Sequence, residues 1–395
     1  MASPPSLPSE IWFDHILTRI ESLDSLGMCR VVSKDWNHIT YESRFWKLFC
    51  MRSDTVHSGF LIQTSHNGKH SSTFVSVDNK ANKTLNLPIL NFLPAPVKVE
   101  AVSSQGGLVF CLNQNHRRVP EYFVCKPTTL QWETLPNPKT RYTTLSNAIV
   151  VLSSKPLRYK IIRFSKPVKC NPQPYKNLIT CEVFDSNTRE WKQLKHVSLP
   201  DSVFFNLRHC VTSCGACYWL LTNNQVLAFY YEDDKESWEL FDSPESVSDS
   251  DWSKYNKLVE YQGRLALMYF EGELMELWVM EDHEKKVWRR HKVISLKGLK
   301  ELEGHDYAYI FPVAHYSSDI ALMKGLKQVS FYKFQGSSSY KVVKLEHKPN
   351  EIFKLQSDFE KVNLRGPWRW RDFSFIFFVF GFSLFCYFVR FVLGL

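Results

Sequence analysis

The sequence lacks the short motifs that mark the commonest classes of enzyme. It has no Gly-x-Ser-x-Gly nucleophile elbow, no His-Glu-x-x-His metal motif, no phosphate-binding loop and no Gly-x-Gly-x-x-Gly turn. Histidine, aspartate and glutamate are scattered along the chain, and no spacing brings an acid and a base together. We therefore predict a protein that is not an enzyme, with no catalytic residue and no cofactor.

A secretory signal is also missing from the first residues. The opening MASPPSLPSE has neither the basic start nor the apolar run of a signal peptide. We therefore expect the cytoplasm, the nucleus or both, where a reducing environment keeps the ten cysteines as thiols.

Cysteine pairs with metal-binding spacing are scarce. One crowded group, His209, Cys210, Cys214 and Cys217, offers four zinc ligands within nine residues. A second Cys-x-x-Cys pair is absent, and Cys217 leads into the apolar run Tyr-Trp-Leu-Leu. A strand there would turn alternate side chains to opposite faces. We predict cysteines of the core and of a turn, and no metal site, with zinc as the alternative.

Charge of one sign is not gathered into a tail, although the net charge is +9. Ten lysines and arginines stand against three acids between Lys155 and Lys195, whereas nine acids stand against one lysine between Glu232 and Asp251. Such alternating blocks are typical of different faces of one surface. We predict no nucleic-acid partner. The acidic stretch is a candidate site for basic partners, with a solvated loop as its alternative.

Residues 7–49 have the apolar spacing of helices. Pro8 suits the first position of a helix, and the apolar side chains that follow include Ile11 and Ile16. Two further short helices are predicted, the last over Val31–Tyr41. Three helices in about 43 residues bury too little surface to be stable alone. This unit therefore needs a partner or a neighbouring domain.

From about residue 57, short β-rich runs separated by turn residues replace the helical spacing. One pattern, an apolar strand, a polar turn and an aromatic residue followed by Leu, recurs about every 50 residues. This period is typical of propeller blades, so we predict an all-β propeller of about six blades over residues 55–350. A β-sandwich, or five or seven blades, is the alternative. Four copies carry a tryptophan that we expect to pack between blades: Trp132, Trp191, Trp238 and Trp288.

The last residues, Phe373–Leu395, are hydrophobic and carry no charge apart from Arg390. They are near the length of a membrane-spanning helix, and the basic and aromatic stretch Arg365–Arg371 precedes them. We predict a linker over residues 351–372 and then a hydrophobic tail over residues 373–395, a candidate transmembrane anchor facing the cytosol. A closing strand of the propeller, or a stray tail from a variant gene, is the alternative.

The N-terminal unit, residues 1–50, combines a specific set of residues at fixed spacing: Leu7–Ile11, Ile16–Ile20, Leu23, Leu26, Arg30–Trp36 and Phe45. On these stretches the unit resembles the F-box. Its Glu21 and Ser33 depart from the commonest residues of that family, Pro and Cys. Together with the repeats, residues 5–350 resemble plant F-box proteins that carry a C-terminal kelch-like or F-box-associated propeller. The fold class is then α+β multidomain, a three-helix F-box followed by the propeller and the tail.

This resemblance implies the substrate-recognition subunit of a Skp/cullin/F-box (SCF) ubiquitin ligase. The F-box would bind a Skp-type adaptor, and through it cullin and the RING subunit, while the propeller would hold an unknown protein substrate. Two alternatives stay open: an adaptor-binding scaffold or membrane tether outside a ligase, and a glycan-binding propeller. For each predicted adaptor contact the alternative is a place in the unit's own core. These contacts are Leu7, Pro8, Ile11, Ile16, Leu17, Lys34 and Trp36.

Overall fold

A computed structural model describes most of the β-rich part of the chain. The F-box-like unit is described only in small part, and residues 366–395 lie outside the described residues. The described residues are 17, 29, 32–40, 57–76, 90–115, 119–167, 177–206, 210–231, 236–244, 254–303, 310–315, 319–334, 338–358 and 360–365.

One helix of the N-terminal unit is described, α1 (Lys34–Ile39). Ser33 caps it, because its hydroxyl accepts hydrogen bonds from the backbone N–H groups of Asp35 at 3.2 Å and Trp36 at 3.5 Å. α1 lies inside the predicted third helix. The other two predicted helices fall almost entirely outside the described residues, so the three-helix F-box stays a prediction.

Within the described residues, 24 strands form six antiparallel sheets. Five of these sheets take their strands consecutively from the chain, as propeller blades do. A second described helix, α2, spans Lys297–Glu303. Blade 1 contains β3 (Val97–Val102), β4 (Val109–Asn113), β5 (Tyr122–Lys126) and β6 (Gln131–Leu135). Blade 2 contains β7 (Thr143–Ser154), β8 (Leu157–Lys166), β9 (Asn177–Asp185), β10 (Glu190–Gln193) and β11 (Val197–Leu199), which pairs with β9.

The next three blades repeat the same four-strand order. Blade 3 contains β12 (Val211–Ser213), β13 (Ala216–Leu220), β14 (Gln225–Tyr230) and β15 (Ser237–Asp242). Blade 4 contains β16 (Lys254–Tyr261), β17 (Arg264–Glu271), β18 (Leu274–Asp282) and β19 (Val287–Ser295). Blade 5 contains β20 (Phe311–His315), β21 (Ile320–Lys324), β22 (Gln328–Lys333) and β23 (Ser338–Lys344).

The sixth blade, the closing blade, joins the two ends of the propeller. It consists of the hairpin β1 (His57–His66) and β2 (Lys69–Ser76) and the strand β24 (Pro349–Ser357), which pairs antiparallel with β1. β24 also lies against β3, so the last strand closes the ring onto blade 1. The predicted boundary at residue 350 is therefore corrected: residues 351–357, expected in a linker, form an inner strand.

Among the described residues, six hydrophobic clusters fill the gaps between adjacent blades. One of them joins Leu322 and Phe331 of blade 5 to Phe60 of the closing blade, and another joins Phe353 of the closing blade to Val99 of blade 1. A β-sandwich would have one core between two sheets. The closed set of gaps confirms the propeller with six blades and excludes the sandwich.

The inner strands surround a narrow central cavity of about 120 Å³. Two contacts cross the centre between blades that are not neighbours. Thr212 Oγ1 of blade 3 donates a hydrogen bond to Ser104 Oγ, in the turn between β3 and β4 of blade 1, at 2.7 Å. Lys354 Nζ of the closing blade lies 2.8 Å from Glu260 Oε2 of blade 4. The centre is therefore bridged by polar side chains.

The repeated tryptophans pack between blades, with one exception. Trp191 is buried, and its Nε1–H donates to the carbonyl of Pro136, after the last strand of blade 1, at 2.7 Å. Trp288 of blade 4 donates in the same way to the carbonyl of Asp242 in blade 3, at 3.2 Å. Trp132 is 41% exposed. The prediction is confirmed for Trp191, Trp238 and Trp288, which pack in or against the clusters between blades, and wrong for Trp132.

Replacing Trp191 by Phe should destabilise the propeller more than replacing Trp132 by Phe. Trp191→Phe removes a buried hydrogen bond and part of a buried ring, so we expect a loss of about 2 kcal/mol in the free energy of unfolding. Trp132→Phe changes a largely exposed side chain and should cost about 0.5 kcal/mol or less. Urea unfolding followed by far-ultraviolet circular dichroism measures both, and equal losses would contradict the packing between blades.

No helix within the described ranges is long and apolar enough to cross a membrane. The predicted anchor, residues 373–395, lies outside those ranges, so it stays a prediction.

Candidate functional site

Three of the predicted adaptor contacts lie in the described part of the chain. Leu17 is fully buried within the chain, Trp36 is half-buried and Lys34 is exposed. Lys34 and part of Trp36, both on α1, are therefore accessible to a partner protein, whereas the buried Leu17 is not. The remaining predicted contacts lie outside the described residues: Leu7, Pro8, Ile11 and Ile16.

The crowded cysteines separate into a core and a turn. Cys217 is buried in β13, and burial raises the pKa of its thiol well above the ordinary value, with a further contribution from the hydrogen-bonded thiol of Cys210. Cys214 is exposed in the turn between β12 and β13. His209 lies outside the described residues. Across the residues that the structure describes, no group of three His, Cys, Asp or Glu side chains is placed to hold a metal ion.

The acidic stretch of the sequence is not one loop, because its middle forms β15. Two of its carboxylates contact lysines of neighbouring blades. Glu236 lies 3.0 Å from Lys160 and 3.4 Å from Lys192 of blade 2, and Glu239 lies 2.9 Å from Lys286 of blade 4. The alternating charge blocks therefore pair in part across blades. Six of the nine acids of this stretch lie outside the described residues, so a site for basic partners stays a prediction.

One pocket, the lysine pocket, gathers positive charge at one face of the propeller. It has a volume of about 220 Å³ and lies between blade 4, blade 5 and the closing blade. The loop between β21 and β22 and the segment that leads into β24 form its rim. Its lining residues are Tyr255, Lys257, Phe311, Val313, Lys324, Gly325, Leu326, Lys348, Asn350 and Ile352.

Lys257 is the half-buried centre of this charge. Burial lowers the pKa of its ammonium group to about 8, the nearby charge of Lys324 lowers it too, and the Glu351 carboxylate partly opposes them. The pKa of Lys324 is also lowered, first by burial and then by Lys348. Each lysine therefore makes the positive charge of its neighbour less favourable.

The lysines of the pocket differ from other inner-strand lysines in their partners. Lys98 lies 2.6 Å from Glu100, and Lys354 is paired with Glu260. Within the described part of the chain, Lys257 and Lys348 have no ion-pair or hydrogen-bond acceptor at contact distance. The Lys324 ammonium reaches one neutral acceptor, the carbonyl of Asn350, at 3.4 Å. The pocket therefore holds a local excess of positive charge.

Sequence reasoning missed this pocket because its lysines belong to three different repeats. Lys257 lies in β16, Lys324 ends β21 and Lys348 precedes β24. Lys348 lies beside Lys257 and Lys324 only because the ring closes. One signal was present: a lysine interrupts the apolar residues of several inner strands, as in VKVEAV and KYNKLVEY.

Six sheets in a ring, closed by pairing of the first and last strands, define the class of this protein as a six-bladed β-propeller. Residues 47–358 match the family described as "F-box associated beta propeller domain". The match covers most of the chain, and the chain belongs to this family.

Curated relatives from Arabidopsis thaliana are named F-box proteins. F-box protein At5g41720 is 37% identical over 142 residues, which are 34% of this chain and 75% of that protein. F-box protein At5g49610 is 25% identical over 338 residues, covering 80% and 86% of the two chains. F-box protein DOR is 24% identical over 360 residues, covering 85% and 87%. The resemblance to F-box proteins with an F-box-associated propeller is confirmed, while the kelch-like description of the repeats stays a prediction.

Proposed function

We propose that this chain is the substrate-recognition subunit of an SCF ubiquitin ligase. The F-box binds a Skp-type adaptor and, through it, cullin and the RING subunit, while the propeller binds the protein to be ubiquitinated. The observation that carries the proposal is membership of the F-box associated propeller family, together with relatives that are named F-box proteins.

The geometry of the propeller supports a binding role. A ring closed by β24 and filled between its blades is a rigid scaffold, and loops on a rigid scaffold are the usual place for recognition. In this proposal the transfer of ubiquitin occurs on other subunits, so the chain itself is a receptor without catalytic residues.

Adaptor binding should depend on the first residues of the predicted helix. Changing Leu7 and Pro8 together to Ala removes apolar anchors, so we expect recovery of the adaptor and of cullin to fall at least about tenfold. Tagged full-length chains, captured from plant cells and analysed by quantitative mass spectrometry, measure this recovery. Leu274→Ala, an exposed apolar change on β18, is the control and should leave recovery unchanged.

A second variant separates loss of binding from loss of folding. Lys34 is exposed, so Lys34→Glu should leave the fold intact and still weaken adaptor binding. Full adaptor recovery with both variants would contradict the predicted contacts. An adaptor complex that lacks cullin would contradict the ligase and favour a scaffold outside it.

A further inference from the structure

The lysine pocket contains more positive charge than the surrounding residues neutralise. Lys257 and Lys324 are half-buried in it, Lys348 is exposed at its rim, and the Glu351 carboxylate acts on the first two. Ammonium groups that lose water and lie near one another are costly, because burial and mutual repulsion both disfavour their charge. An anion bound between them would offset these costs.

The size and floor of the pocket indicate what kind of anion fits. Pockets for whole small molecules usually measure about 300 Å³ or more, so about 220 Å³ suits a single side chain better than a drug-sized ligand. Val313 and Ile352 are buried on its floor, and Phe311 is half-buried beside them. The occupant should therefore combine an apolar part with an anionic end.

The polar groups of the pocket are mainly donors. Three ammonium groups can only donate hydrogen bonds, and burial raises the pKa of Tyr255 to about 12, so its hydroxyl stays neutral at physiological pH. A glycan presents hydroxyl groups that donate as well as accept, whereas carboxylate and phosphate oxygens only accept. The lining therefore matches an anionic group better than a sugar.

We propose that the lysine pocket binds a carboxylate or phosphate group carried by a segment of the target protein, with an adjacent apolar side chain on the pocket floor. The inference depends on the proposed function in one respect only, namely that the bound segment belongs to the protein to be ubiquitinated. The pocket itself is independent of the F-box.

Binding should weaken as the pH rises through about 8. An anion favours the protonated form of Lys257, whose pKa is about 8 in the free protein, so binding takes up a proton above that pH. For a carboxylate, affinity should be nearly constant from about pH 6 to 7, and for either anion it should fall by up to about tenfold per unit above pH 8. The other charged or titratable groups of the elements that surround Lys257 are Tyr255, Glu260, His315, Lys324, Lys348, Glu351 and Lys354.

Protection of Lys257 from an amine-reactive ester tests the site in the full chain. The protein is labelled at pH 7.5 with and without inorganic phosphate, and peptide mapping by mass spectrometry reports labelling at each lysine. Two pairs of peptide libraries show whether the bound anion is a phosphate or a carboxylate. The first pair compares peptides that have a central phosphoserine with the same peptides unphosphorylated. The second pair compares peptides that end in an apolar residue with a free carboxylate with the same peptides ending in an amide. We expect protection by at least one anionic member of these pairs and none by its neutral counterpart.

Variants tie that protection to the pocket. Lys257→Met and Lys324→Gln should each weaken binding of the protecting peptide about tenfold, while Lys285→Gln, a change of an exposed lysine in the same blade, should not. Failure of every anion to protect Lys257, or equal binding by Lys257→Met, would overturn the proposal. No adaptor is present in this experiment, so the result is independent of whether the chain joins a ligase.

Discussion

A chain that ends at Lys348 is expected not to fold as a propeller, whereas a chain that ends at Arg365 is expected to fold. The shorter chain lacks β24, the inner strand of the closing blade. Two of the clusters between blades would lose buried side chains, and β1 would become an unpaired inner edge. Because the ring is held by contacts between neighbouring blades all the way round, loss of one inner strand removes closure as well as local packing.

The contacts around β24 show why the closing strand must sit closely against blade 1. Gly107 has a φ of +65°, and a Cβ atom there would lie 2.0 Å from Ser357 Oγ. Beyond the strand, the buried Lys126 ammonium donates to the carboxylate of Asp358, and Gln131 exchanges two hydrogen bonds with the backbone of Val362. Asp358 and Val362, beyond the closing strand, therefore fasten the closed ring to the first blade.

Three chain lengths, ending at residues 348, 357 and 365, separate these effects. Circular dichroism, thermal unfolding and limited proteolysis should give no cooperative transition for the first chain. The second should fold with reduced stability, because Lys126 would be buried without Asp358. The third should match the full chain. Cooperative unfolding of the chain ending at Lys348 would show that closure by β24 is not required.

The sequence predicted the blades but not their closure. The hairpin with its tryptophan is a local pattern, so four copies could be recognised and counted from the residues alone. Closure pairs His57 with Ser357, and no local pattern specifies a contact between strands at opposite ends of the propeller. β24 also lies beyond the last recognised repeat, so its residues from 351 onward were predicted to be a linker.

The site was harder to predict than the fold for a related reason. The resemblance to the F-box predicts adaptor contacts within one short stretch of the sequence, whereas the lysines of the lysine pocket come from three repeats. Charge counts along the chain identified the basic and acidic blocks, but the described acids Glu236 and Glu239 contact lysines of adjacent blades. The unneutralised positive charge lies elsewhere, on three lysines that are far apart in the sequence and outside both blocks.

Replacing Glu182 by Ala should cost about 3–5 kcal/mol in the free energy of unfolding. Glu182 is fully buried in β9 and forms an ion pair with Arg163 of β8, which is only 3% exposed. The carboxylate also accepts hydrogen bonds from the backbone N–H and the hydroxyl of Thr140, at 2.9 and 2.7 Å, in the connection from blade 1 to blade 2. The variant would leave a buried guanidinium without its counter-charge and release this connection.

Two comparisons identify the buried charge as the cause of that loss. Glu281→Ala removes a carboxylate from an exposed pair with Arg289 and should cost about 1 kcal/mol or less. The double variant Arg163→Met with Glu182→Met removes both buried charges, so it should be less destabilised than Glu182→Ala despite the second change. Urea unfolding of the full chain measures all three. If the double variant were at least as destabilised as Glu182→Ala, shape and hydrogen bonding at this position would outweigh charge.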